Sequence, residues 1–260
     1  MHHFARLRAI WMAFYSRDLY RSAASQWAGR GLLYLLLLLA IAWLPSAIRW
    51  HAGLTAFAEQ SAGTVKQLPT VTIEQGVMHA TPPGRHEVRG SDGAIVAIID
   101  DGIDAVPNDM TSGALVVTRR EAGVVPARAG ERRVWQFTPG MNMTVTPARV
   151  SSIIRSLPPI LPIVGYALCL AVSFAFRTVQ VLVYAAIAQA MGGRAPARLD
   201  YPAAMRLAAV AVTPVIVLRT LAWFAPSEPS WYVRWPLAIA ITLAYLWFGA
   251  RSAAAREAVV

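Results

Sequence analysis

Apolar residues along this chain gather into four long stretches with polar segments between them. Gly31 to Ile48 (GLLYLLLLLAIAWLPSAI) runs eighteen residues without a charge, and further apolar stretches cover about 163–190, 203–225 and 233–250. A helix rising ~1.5 Å per residue needs about twenty such residues to cross a ~30 Å hydrocarbon layer. Four transmembrane helices are therefore predicted. A secretory signal peptide competes for the first, because Leu32 to Leu44 has the length of an h-region and small residues follow it. The thirty residues ahead of it are too many for an ordinary n-region, so retention as a span is expected.

Those first thirty residues carry Phe4, Leu7, Trp11 and Phe14 at i, i+3, i+7 and i+10, with Arg6, Arg8 and Arg17 on other faces. The stripe predicts an amphipathic helix lying in the membrane interface, with Tyr15, Tyr20 and Arg21 joining the four apolar residues at the lipid headgroups. Residues 51–157 hold no spanning run. Val71 and Ile73 alternate with Thr70, Thr72 and Glu74, the period of a half-buried strand, and Gln75-Gly76 can turn it. Ala94 to Ile99 (AIVAII) reads as a buried strand ended by Asp100-Asp101-Gly102. Leu115 to Thr118 and Arg133 to Phe137 are two further strands, the second placing Trp135 and Phe137 on one side. Thr146-Pro147 then caps a helix whose Val150, Ile153, Ile154 and Leu157 share a face, up to the proline group Pro158, Pro159 and Pro162. Ile95, Ile98, Val116, Trp135 and Ile154 are the expected core.

The predicted architecture is a membrane α-helical protein with four transmembrane helices and a small extracytoplasmic α+β domain inserted after the first span. In order, 1–30 is a cytoplasmic amphipathic interfacial segment, 31–50 a transmembrane helix, 51–157 the extracytoplasmic domain and 158–260 a three-helix transmembrane domain. Composition agrees: 56% of the 260 residues are hydrophobic and 15% charged, with a mean hydropathy of +0.45.

The net charge of +10 raises the question of a nucleic-acid partner, and its placement answers it. Residues 51–157 hold ten basic and ten acidic residues; the other fourteen basic and four acidic residues flank or enter the apolar stretches. With no solvated basic cluster, nucleic acid is not expected as a partner. Arg6 to Arg30, then Arg194, Arg198 and Arg206, then Arg251 and Arg256 all fall on one side of four spans. By the positive-inside rule that side is cytoplasmic, which puts both termini inside a bacterial inner membrane and the neutral domain outside.

Several segments in order resemble one family. Tyr15-Ser16 with Tyr20-Arg21, Gly29 to Leu39 (GRGLLYLLLLL), Leu68 to Gly76 (LPTVTIEQG), Ile95 to Asp100 (IVAIID) and Arg206 to Pro214 (RLAAVAVTP) are similar to the bacterial membrane proteins of domain of unknown function 1189. The resemblance covers nearly the whole chain and rests on the order and spacing of the segments. It implies a membrane protein with an extracytoplasmic insertion after its first span, and no particular reaction. Some Gram-positive relatives are labelled for maltodextrin utilisation, which points toward transport-associated roles. The paired aspartates at Asp100-Asp101 depart from the family's single-Asp turn.

Chemistry is sparse. No GxSxG, HExxH, Walker loop or dinucleotide fingerprint occurs, so no catalytic residue is assigned and an enzyme is not expected. One cysteine, Cys169, excludes an internal disulfide and a cysteine-built zinc site. Asp100, Asp101, Asp104 and Asp109 with Asn108 could offer oxygen ligands to a hard cation, but they lack the spacing of an EF-hand and read as a polar turn. An outer-face enzyme using this loop is the third functional reading. Met78 with His79, and Met141 with Met143, could offer soft ligands, though without a third convergent one; no metal and no cofactor is expected. His51, His79 and His86 read as solvated. No Asp or Glu lies within the last three spans, which argues against proton-coupled transport.

Arg177 and Arg219 do lie within spans, where an unpaired charge is costly. Arg219 is about 24 Å along its helix from Ala203 and can snorkel to the outer headgroups. Arg177 sits deeper, and Gln180, Tyr184, Thr242, Tyr245 or a lipid phosphate could accept from it. Arg177, Gln180, Tyr184 and Arg219 are the candidate ligand or lipid-binding residues. Two functional readings follow: a non-enzymatic accessory, sensory or assembly protein coupling its outward domain to a membrane-protein partner or to itself, and a lipid or small-molecule translocating protein with an anion contact at Arg177. The bilayer, including anionic lipid, is the expected surrounding partner.

Overall fold

The computed structural model describes residues 3–27, 30–107, 113–124, 133–192, 199–224 and 230–254, with backbone alone for 3–7, 191–192, 231 and 254. The chain divides into two compact units, Met1–Ala47 with Ile163–Val260, and Ile48–Pro162.

The first unit is helical. Helices α1 (His3–Met12) and α2 (Arg17–Gln26) precede α3 (Arg30–Val65); α4 (Pro147–Gly192), α5 (Tyr201–Ala211), α6 (Thr213–Ala222) and α7 (Trp231–Ala254) follow later in the chain. Among the described residues four helical stretches are long and apolar enough to cross a membrane: Arg30–Val65, Pro147–Ala190, Tyr201–Ala222 and Tyr232–Ala253. The third comprises α5 and α6, which part at Val212 because Pro214 has no N–H to continue the ladder. Tyr34 on α3 reaches this break, its hydroxyl 3.0 Å from that of the buried Thr213.

The amino-terminal segment differs from the single interfacial helix expected. It breaks at Ala13–Ser16, where the Ser16 side chain accepts from the Leu19 N–H at 3.3 Å and starts a second helix. Restarting the helix turns Leu19, Tyr20 and Ala23 inward. Tyr20 is 0% exposed, packs edge-on to Phe248 and donates to the Ala13 carbonyl at 2.8 Å, so it belongs to the protein core and not to a lipid-facing stripe. Trp11 and Tyr15 are exposed, and Phe14 meets Tyr245 edge to face. The side chains of Phe4 and Leu7 lie outside the described residues. Two arginines lock α2 in place. Arg21 donates through Nε to the Ser252 carbonyl near the end of α7, and Arg206 on α5 donates to the Ala23 and Ala24 carbonyls near the end of α2. Each satisfies carbonyls that a helix end leaves open, with charge of the sign its dipole favours.

The second unit contains two sheets. Strands β1 (Thr70–Glu74), β2 (Val77–Thr81) and β8 (Met143–Val145) form one in the order β2-β1-β8. The other runs β3-β4-β5-β6-β7, from β3 (Arg85–Arg89), β4 (Ile95–Asp100), β5 (Leu115–Thr118), β6 (Glu121–Val124) and β7 (Arg133–Gln136), antiparallel except between β4 and β5. The Gln75-Gly76 turn has positive φ at both residues, and a Cβ on Gly76 would lie 2.7 Å from the Thr138 carbonyl oxygen. Ile73, Met78, Ala80, Val88, Ala97 and Ile99 form the core between the strands, while Ile98 and Val116 are buried on the opposite face of β4 and β5. Trp135 is 53% exposed and corrects the expected core: β7 is an edge strand, exposed along its length, and Phe137 packs inward in its place. Ile95 and Ile154 are half-buried.

The proline group does not end a helix. α4 continues through Pro158, Pro159 and Pro162, although each ring removes a backbone donor. Pro162 leaves the Pro158 carbonyl without its i+4 partner, and the His51 imidazole donates to that oxygen from Nδ1 at 3.0 Å. This is a structural task for a histidine expected to be merely solvated.

Candidate functional site

Within the helical unit a cavity of about 160 Å³ opens among α3, α4 and α6. Leu39, Phe176 and Ile216 contribute apolar wall; Ser46, Ser173, Thr220, Arg177 and Arg219 bring polar atoms. Arg177 is 9% exposed. Its Nη1 donates to Gln180 Oε1, and Gln180 Nε2 donates to the buried Tyr184 hydroxyl at 3.4 Å. The three residues stand at i, i+3 and i+7 on one face of α4, so Gln180 and Tyr184 buttress Arg177 and do not themselves line the cavity. Every fully enclosed side-chain polar atom among the described residues has a partner, and the Arg177 nitrogens that Gln180 leaves free accordingly reach accessible surface.

Arg219, near the end of α6, opens onto the same cavity, and the two guanidiniums are close enough to repel one another. Among the described residues neither forms an ion pair with a carboxylate. Arg219 thus shares a pocket with Arg177, a relation its distance along the helix could not show. Thr242 and Tyr245 do not approach: the Thr242 hydroxyl donates to the Ala238 carbonyl, and Tyr245 packs on Phe14. The sequence reading missed Ser46, Ser173, Thr220 and Trp43. Trp43 donates from its indole N–H to Ser173 Oγ at 3.0 Å, which leaves the serine proton for another acceptor. Ser46 is 6% exposed, and among the described residues its hydroxyl forms no hydrogen bond, so it opens onto the cavity. Pro45-Ser46 inside an apolar run was the available signal.

The second unit assigns its polar residues elsewhere. Asp100 accepts from the Gly102 N–H at 2.9 Å, Asp101 from the N–H groups of Gly84 at 2.8 Å and Ala80 at 3.2 Å, and Asp104 pairs with Arg119 and Arg120. Asn108 and Asp109 lie outside the described residues. No group of three or more His, Cys, Asp or Glu among the described residues is placed to hold a metal. Met78 is buried while His79, the next residue of β2, is exposed on the other face, so the two cannot converge. The Asp101 carboxyl is held below its ordinary value near 3.8, first by the Gly84 N–H. A depressed value means that its contribution is complete above that ordinary value and is lost as pH falls through the lower, folded one. Asp101→Ala is expected to lower stability by about 1 kcal/mol at pH 7, with the difference closing as pH falls below 3.8. Thermal melting of parent and variant in detergent at pH 7 and pH 3 checks this.

Fold and site together define a protein with four helices long and apolar enough to cross a membrane, a sheet-rich second unit, and a doubly cationic pocket among the helices. The chain belongs to the family described as "Protein of unknown function (DUF1189)", whose model matches residues 7–250. No curated protein and no solved structure matches it.

Proposed function

We propose that this chain is a non-enzymatic, multi-pass protein of the bacterial inner membrane that binds an anion among α3, α4 and α6. One observation carries the reading: two guanidiniums share a cavity in which, among the described residues, no carboxylate neutralises them. In apolar surroundings such an arrangement is costly unless an anion completes it. The basic residues flanking the spans support cytoplasmic termini and an outward-facing segment 51–157. An accessory or sensory role through a protein partner is favoured separately by β7, which pairs only with β6 among the described residues and exposes Trp135.

The test is stabilisation by inorganic sulfate of the full-length protein in uncharged detergent, at ionic strength held constant with chloride. At an anion concentration ten times its dissociation constant, linkage gives about 1.4 kcal/mol. Arg177→Leu should insert and fold as well as the parent, since a charge leaves apolar surroundings, but lose the sulfate effect. Arg177→Lys should keep part of it, because an ammonium lacks the planar fork. Equal sulfate stabilisation of Arg177→Leu and parent would overturn the reading.

A further inference from the structure

We propose that the anion is the terminal phosphomonoester of a lipid, an inference that rests on the anion reading above. Four features of the pocket converge on it. Its two guanidiniums bring two positive charges, which match a phosphomonoester of about −1.5 to −2 at pH 7 better than a singly charged carboxylate or phosphodiester. Its hydroxyls supply donors beyond the two arginines: Ser46 is more than nine-tenths buried with no hydrogen-bond partner among the described residues, and Ser173 keeps its proton because Trp43 donates to its oxygen. A phosphomonoester has three terminal oxygens to receive such donors, whereas a carboxylate has two.

The volume sets the third condition. At about 160 Å³ the cavity is smaller than the ~300–1,000 Å³ typical of a pocket enclosing a whole drug-sized ligand. It admits a headgroup and leaves the remainder outside. The fourth is the surface around it: Phe176, part of the cavity wall, is also exposed, and Leu218 and Leu221, next in sequence to Arg219 and Thr220 on α6, are exposed apolar side chains. These suit an alkyl chain and offer no hydrogen bond to a sugar.

The test uses the full-length protein in phosphatidylcholine nanodiscs doped with phosphatidic acid or phosphatidylglycerol at equal mole fraction and with matched chains. Lipid retained after exchange into detergent is counted by mass spectrometry. The parent should retain phosphatidic acid at least tenfold over phosphatidylglycerol. Arg219→Leu should bring phosphatidic acid down to the phosphatidylglycerol level, Arg219→Lys should keep part of the preference, and Arg177→Leu should lose both lipids. Inorganic phosphate should displace short-chain phosphatidic acid only at concentrations tenfold or more above that lipid's own. Equal retention of the two lipids by the parent, or a preference untouched in Arg219→Leu, overturns the phosphomonoester assignment; phosphate competing as well as the lipid overturns its lipid origin. In each case sulfate stabilisation that depends on Arg177 would leave the anion reading standing, and its absence would remove both.

Discussion

Ile98→Asp unfolds the sheet-rich unit. Ile98 is buried on β4 opposite Val116 of β5, itself fully enclosed. The substitution forfeits about 1.5–3 kcal/mol of apolar burial and adds the cost of an enclosed, unpartnered carboxyl. A total above about 4 kcal/mol is a large share of the ~5–15 kcal/mol that holds a typical domain. Trypsin cleavage within residues 51–157 of the detergent-solubilised protein should quicken at least tenfold. Trp135→Ala, on the exposed edge strand, should change that rate little. Equal protease resistance of Ile98→Asp and parent would refute the assignment of this core.

A side chain at Gly249 forces α2 and α7 apart. A Cβ there would lie 2.6 Å from Tyr20 Cδ1 and 3.1 Å from Leu207 Cδ2. The Tyr20 ring is fixed at one end by its bond to the Ala13 carbonyl and held by its edge-to-face contact with Phe248, so it has little room to move. Gly249→Ala should cost about 1–3 kcal/mol and Gly249→Leu more, read as a shift in unfolding of the solubilised protein. In a Tyr20→Ala background the Gly249→Ala penalty should largely vanish, because the obstructing ring is gone. An undiminished penalty would mean that the helices meet elsewhere.

Legibility in the sequence followed the strength of each local signal. The four apolar stretches and the TVTIE, IVAIID and LVVT strands announce themselves by run length or alternation. Strand β3 (RHEVR) does not, since only Val88 points into the core and four polar neighbours read as solvated chain. Strands β2, β6 and β8 are similarly short or mixed, and exist because β1 and β5 offer them hydrogen-bonding edges. The Trp135 expectation failed because a period of two says which residues share a face, not whether the strand lies at the sheet's margin. At the site, Arg177 and its i+3 and i+7 supports were readable from spacing along one helix. Arg219 and Ser46 join it from α6 and α3, a convergence that no single stretch encodes.

The exchange of arginine contacts around α2 also fixes an order of events in time. Arg21 waits for the Ser252 carbonyl, 231 residues further on, and the Ala23 carbonyl waits for Arg206, 183 residues on. At ~5–20 residues per second, synthesis takes on the order of ten seconds or more to cover the longer interval. Until Arg206 is made α2 has neither of its anchors; from Arg206 to Ser252 it has one, and α7 then supplies the second. A chain released before Ser252 would carry every residue of α2 and still leave Arg21 without the carbonyl it holds in the finished protein.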